Sequence, residues 1–205
     1  MSCRCCCISI TICILITILP IIFVIIFSPS SVKFHVIGLS LTQFNLTDNN
    51  NLYFNFKVNI TAINPNKNTI VYYRRITAVA WYKDNEFAYV SLKPFDQGKK
   101  NTSFLQTAMF QGSSVFNLKP HQLAEYYMET SAGVYNDLAV DLEMTVRYKY
   151  GRLKSIRFDP PIVKCRRLSV PLISNGKPVA SFNGTKCRND YFFADRYARE
   201  RWDGD

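Results

Sequence analysis

Two histidines and seven cysteines are the side chains through which this 205-residue chain could do nucleophilic or metal chemistry. Neither set forms a constellation. His35 and His121 lie far apart, and no HExxH, GxSxG, phosphate-binding loop or dinucleotide fingerprint surrounds them. A Cys–His nucleophile would need Cys165 or Cys187, the two cysteines outside the first 13 residues. Asp137, Asp141, Glu143 and Asp159 are the carboxylates that could do acid–base work. Asp141 and Glu143 share one parity of an alternating segment, so they are expected to face water and serve solubility. A glycosidase-type pair held across a cleft leaves no mark in sequence and stays open at this level. Catalysis is disfavoured, and no metal or cofactor is expected.

The cysteines point elsewhere. Cys3, Cys5, Cys6 and Cys7 crowd the start of the chain, just ahead of an apolar run. Such a cluster reads as a candidate for S-acylation at a membrane face. Inert thiols or a metal site are the alternatives, the latter without CxxC spacing or a nearby His. Cys13 reads as a small apolar residue. Cys165 and Cys187 are either a disulfide that ties the tail to the last strand or two separate buried thiols. As a bridge they would restrict the unfolded chain by about 3 kcal/mol.

The elements that position these residues divide sharply by charge. The chain carries a net +10, yet Arg4 is the only charged side chain before Lys33. From Ile8 to Phe27 there are 20 uncharged residues. As a helix they would rise roughly 30 Å, one hydrocarbon core. A membrane-spanning helix over 8–28 is therefore expected, kinked at Pro20, with a cleaved secretory signal or a buried helix as alternatives. The expected organisation is a cysteine-rich cytosolic stub at 1–7, that helix, a domain at 33–171 and a tail at 172–205. N-x-S/T sequons at Asn45, Asn59, Asn101 and Asn183 are candidate N-glycosylation sites, whereas Asn64 is followed by Pro and does not qualify. Together with Cys165 and Cys187 they place the body outside the cytosol.

The body reads as β. In LYFNFKVNITA at 52–62, Leu52, Phe54, Phe56, Val58, Ile60 and Ala62 alternate with mostly polar partners. In LAVDLEMTVRYKY at 138–150, apolar residues from Leu138 to Tyr150 hold one parity and charged residues hold the other. Further strands are expected at 34–46, 69–82, 86–93, 102–111 and 155–170, separated by turn-forming clusters. That count predicts an antiparallel sandwich, with a flattened barrel as the alternative. KPHQLAEYYMETS at 119–131 predicts one short helix, with Leu123, Tyr126 and Tyr127 covering the sheet. Arg147, Lys149, Arg152 and Lys154 flank one hairpin and are the candidate anionic contact. Tyr148 and Tyr150 sit on the inward parity, so base stacking is disfavoured and no nucleic-acid partner is expected. A solvated basic face is the plain alternative.

Several segments carry a resemblance. INPNKNTIVYY at 63–73, PFDQGKKNTSFLQTAMFQG at 94–112, VRYKYGRLKSIRF at 146–158 and IVKCRRLSVPL at 162–172 resemble the plant late-embryogenesis-abundant group 2 domain. With a cysteine-bearing end and an apolar helix before it, the chain is similar to the family of non-race-specific disease resistance and harpin-induced proteins. The resemblance implies a fibronectin-like β-sandwich on a single-pass plasma-membrane anchor, with the amino terminus in the cytosol and the domain outside. It implies a non-enzymatic role in defence or stress signalling, with the bilayer, immune-signalling membrane proteins or anionic wall polysaccharide as partners. A structural membrane–wall linker or stress-protective domain is the alternative. The family's Asn-Pro-Asn motif falls on Asn64, Pro65 and Asn66 and reads as a turn. The family's Asn-Gly-Asp adhesion sequence is missing, and the polar end RERWDGD does not resemble a lipid-anchor signal. Oligomeric state is not legible.

Overall fold

The computed structural model describes residues 14–19, 28–173 and 184–198. Two units emerge, Met1–Ser30 and Ser31–Asp205. In the first, residues 14–19 are helical. The expected membrane-spanning helix is corrected here: among the described residues no helix is long and apolar enough to cross a membrane. The rest of 8–28 lies outside the described residues, except for 28. Single-pass plasma-membrane topology, a cytosolic amino terminus, the bilayer as partner and an anchored signalling or linker role all depended on that helix and fall with it. Cys3, Cys5, Cys6 and Cys7 lie outside the described residues, as does Asn183.

The second unit is an antiparallel β-sandwich with one short helix. One sheet contains β1 (Lys33–Leu46), β2 (Asn51–Ile63), β6 (Thr102–Phe104), β7 (Ala108–Val115) and β11 (Thr185–Lys186). The other contains β3 (Thr69–Tyr82), β4 (Asn85–Leu92), β5 (Phe95–Gln97), β8 (Val134–Tyr150), β9 (Leu153–Lys154) and β10 (Val163–Pro171). Within the sheets β11, β1 and β2 are neighbours in that order, and so are β10, β8, β3 and β4. The period-two residues of β2 are all buried from Leu52 to Ala62, as alternation on a pleated strand requires.

Aromatic side chains join the sheets. Phe44 of β1 meets Tyr82 of β3, Phe87 of β4 and Tyr135 of β8 at ring-centroid distances of 5.1, 5.6 and 4.8 Å. The edge-on geometry of these pairs suits the ring quadrupoles. The helix, α1 (Pro120–Ala132), opens with Pro at its first position and closes on Gly133 at φ 69°, left-handed backbone that glycine adopts freely. Its buried face is narrower than the sequence implies. Tyr126 is buried and Leu123 half-buried, but Tyr127 is exposed.

Three strand expectations shift for local reasons. The stretch 102–111 splits into β6 and β7, which both pair with β2, around buried Leu105. The last strand starts at Val163 rather than 155, because Pro160 and Pro161 bring no N–H to a ladder. Phe158 alone bridges back to Val146. Asp141 does not face water: it is buried on β8, whereas Glu143 is exposed.

Candidate functional site

Two corners of the sandwich concentrate polar groups, and they use them differently. At the first, Asn64 ends the buried alternation of β2. Its Nδ2 donates to the Thr69 carbonyl at 2.8 Å and to the Gly98 carbonyl at 2.9 Å. Its Oδ1 accepts from Asn66 N at 3.1 Å and Asn66 Nδ2 at 2.9 Å. Pro65 fixes the backbone between these two asparagines. Beside them Gln97 is fully buried, donating from Nε2 to the Ala62 carbonyl at 2.8 Å and the Asn101 carbonyl at 3.0 Å. Its Oε1 accepts from the Tyr73 hydroxyl at 2.9 Å. Burial pushes the Tyr73 hydroxyl pKa up, so it remains a donor. The Asn64-Pro65-Asn66 segment is thus a buried cross-link between three chain segments, more than a local turn. The side-chain amides of Asn64 and Gln97 are all partnered within the fold, although the buried Thr69 hydroxyl beside them has no hydrogen-bond partner among the described residues.

The second corner is built around a disulfide. Cys165 of β10 and Cys187, next to β11, are joined with an S–S distance of 1.98 Å. Lys164 and Arg188 form an antiparallel bridge, with both N–H···O bonds at 2.8 Å. Cys187 N donates to the Phe34 carbonyl of β1 at 2.9 Å. Residues 184–198 therefore link an edge of one sheet to an edge of the other. Both half-cystines point inward and are buried. Alternation then turns Lys164 and Arg166 of β10, and Lys186 and Arg188 of the paired segment, to the same outer face.

These four cations and Arg167 line a groove of about 760 Å³ with Asp84, Asp137 and Ala139. Arg166 is spent. It binds Asp141 at 2.7 Å and reaches Asp84 at 3.5 Å, with its guanidinium 5.6 Å from the Trp81 ring centre. This cover buries Asp141 on what looked like an open strand face. Burial pushes the Asp141 carboxyl above its usual pKa, against the opposing charges of Arg166 and Lys164. Among the described residues, Lys164, Arg167, Lys186 and Arg188 form no ion pair.

The hairpin cations expected from sequence lie on a separate edge, around β9. Arg147 Nε donates to the Ser155 carbonyl at 2.6 Å. Lys149 and Lys154 are cross-strand partners, and Arg152 sits in the turn between them. Tyr148 packs on Phe158 and Phe193 at 5.9 and 5.2 Å. A separate cluster fixes α1: Lys83, at the β3–β4 turn, binds Glu125 and Glu129, and Gln122 Nε2 donates to the Lys83 carbonyl at 2.9 Å. Burial alone would lower the Lys83 pKa, but the two carboxylates outweigh it and raise it. Hydrogen bonding to Lys83 lowers that of Glu125.

Of the sequons, Asn45 and Asn101 are exposed. Asn59 is half-buried across from Gly38, and its Oδ1 accepts from Thr107 Oγ1 at 2.9 Å. His35 is on β1 and His121 on α1. Among the described residues no group of three His, Cys, Asp or Glu side chains could hold a metal ion.

Fold and site define a β-sandwich closed by the Cys165–Cys187 disulfide, with a groove beside it lined largely by cations. The family model for late embryogenesis abundant protein matches residues 59–165. NDR1/HIN1-like protein 3 of Arabidopsis thaliana is 36% identical over 185 residues, 90% of this chain and 78% of that protein. NDR1/HIN1-like protein 10 is 37% identical, covering 88% of this chain and 82% of that protein. NDR1/HIN1-like protein 2 is 32% identical across 81% and 68%. The chain belongs to the NDR1/HIN1-like family and carries its late-embryogenesis-abundant domain.

Proposed function

We propose that this chain is a non-enzymatic binding domain that works outside the cytosol, in oxidising surroundings. The Cys165–Cys187 disulfide carries this reading. Glutathione and thioredoxin keep such pairs reduced in the cytosol, whereas extracytoplasmic compartments preserve them. Its position supports binding over redox catalysis. Both cysteines are buried, and the bond closes the sandwich where its sheets meet. The exposed sequons at Asn45 and Asn101 fit the same compartment and are accessible for glycosylation.

Peptide mapping under non-reducing conditions, on protein isolated from its own tissue with thiols trapped at lysis, tests the proposal. A cross-linked peptide pair containing Cys165 and Cys187, with glycan at Asn45 or Asn101, is the expected result. Free thiols at both cysteines with all described sequons bare would sink it.

A further inference from the structure

We infer that the cystine-centred corner is a binding site for a polyvalent oxyanion, a ligand with two or more negative charges clustered on one body. It deepens the reading of a non-enzymatic extracytoplasmic binding domain by naming a ligand chemistry.

Three observations carry it. First, Lys164 and Arg188 are a directly bonded cross-strand pair on one face. Like charges held opposite one another destabilise a sheet, and that repulsion is relieved when an anion lies between them. Second, the disulfide beside this pair fixes it in place. The cations are thus held together before any ligand arrives, which reduces the ordering that binding must supply. Third, the acids in reach do not neutralise the group. Asp141 lies across the ladder from Lys164, but its carboxylate is bonded to Arg166, which also reaches Asp84; Asp137 lines the groove without an ion pair among the described residues. Asp190 lies on the adjoining side, past Arg188, and likewise makes no ion pair there.

The valence follows from the same geometry. A single carboxylate could answer one of Lys164, Lys186 and Arg188 and leave the others repelling. Phosphate or sulfate groups in series could answer several at once, with the Arg188 guanidinium offering a planar fork. Among the described residues, Ala139 is the one apolar residue lining the groove. With so little apolar surface, an anchored protein partner would find no hydrophobic hot spot, and charge must dominate recognition.

The same oxyanion chemistry can come as a small free ion or along a polymer. Calorimetric titration of the full, oxidised chain with inorganic tripolyphosphate and, separately, with dextran sulfate distinguishes these sources. Saturable binding of either probe is expected, screened progressively by added salt. In Lys186→Gln/Arg188→Gln it should weaken by at least about tenfold, the scale set by losing charge-assisted contacts. The hairpin variant Lys149→Gln/Lys154→Gln should bind as the parent does. A melting temperature for Lys186→Gln/Arg188→Gln equal to or above the parent's separates a binding role from a structural one. Binding of neither probe, or equal loss in the two double variants, would overturn the assignment. That result would leave the non-reducing peptide map, and the reading it tests, untouched.

Discussion

The Asn64 corner and the cystine corner are both places where chain segments distant in sequence are fastened together, but only one has charge to spare. At Asn64 and Gln97 each buried amide is used in full, by backbone carbonyls, an N–H and a tyrosine hydroxyl. At Cys165–Cys187 the covalent bond does the fastening, so the flanking side chains are released from it. Arg166 is recruited to cover Asp141, while Lys164, Lys186 and Arg188 line the same groove and form no ion pair among the described residues. Satisfied polar groups hold a fold; unsatisfied exposed ones are what remain for a ligand.

That contrast makes separable predictions. The largest effect belongs to Asn64→Ala. It strips the Thr69 and Gly98 carbonyls of their donor and Asn66 N of its acceptor, so urea unfolding should show a loss of about 4 kcal/mol. Oxyanion binding by the folded fraction should be unaffected. Replacing both cysteines by Ala frees the 22-residue separation in the unfolded chain and should cost about 3 kcal/mol. Here binding should fall as well, because the two cationic strands lose their clamp.

A smaller effect concerns α1. The Glu125 pKa is lowered by Lys83, so the stability from this contact is present above the unfolded carboxylate pKa and is lost as pH falls through the folded one. The Lys83 pKa is raised, so its share is present below the unfolded lysine value and lost as pH rises through the folded one. Lys83→Met should therefore destabilise most at neutral pH and flatten the acid-side fall, read by melting temperature across pH. Asp141 has the opposite acid-side sign: its raised pKa contributes stability that is lost as pH rises through the folded value. The smallest change is Lys186→Gln/Arg188→Gln, for which relief of repulsion should raise stability by roughly 0.5 kcal/mol in the absence of anion.

Strand positions were readable because alternation is local: each residue of β2 or β8 shows its parity to a reader of its own segment. The helix was readable for the same reason, from Pro120 and the helix formers that follow. Asp141 was misread because its cover, Arg166 and Trp81, comes from other strands. The basic hairpin stood out because Arg147, Lys149, Arg152 and Lys154 are sequence neighbours, yet Arg147 turns to Ser155. The cystine face could not stand out. Lys164 and Arg188 become neighbours only when β10 meets the chain after β11. Proximity in sequence had been visible, whereas charge density in space needed the pairing.

Parallel urea unfolding of Asn64→Ala and Lys186→Gln/Arg188→Gln, each titrated with tripolyphosphate and dextran sulfate, tests the division between the two corners most directly. The account predicts a large stability loss with intact binding for the first, and no stability loss with binding impaired for the second. Impaired binding in folded Asn64→Ala, or a large stability loss in Lys186→Gln/Arg188→Gln, would contradict it.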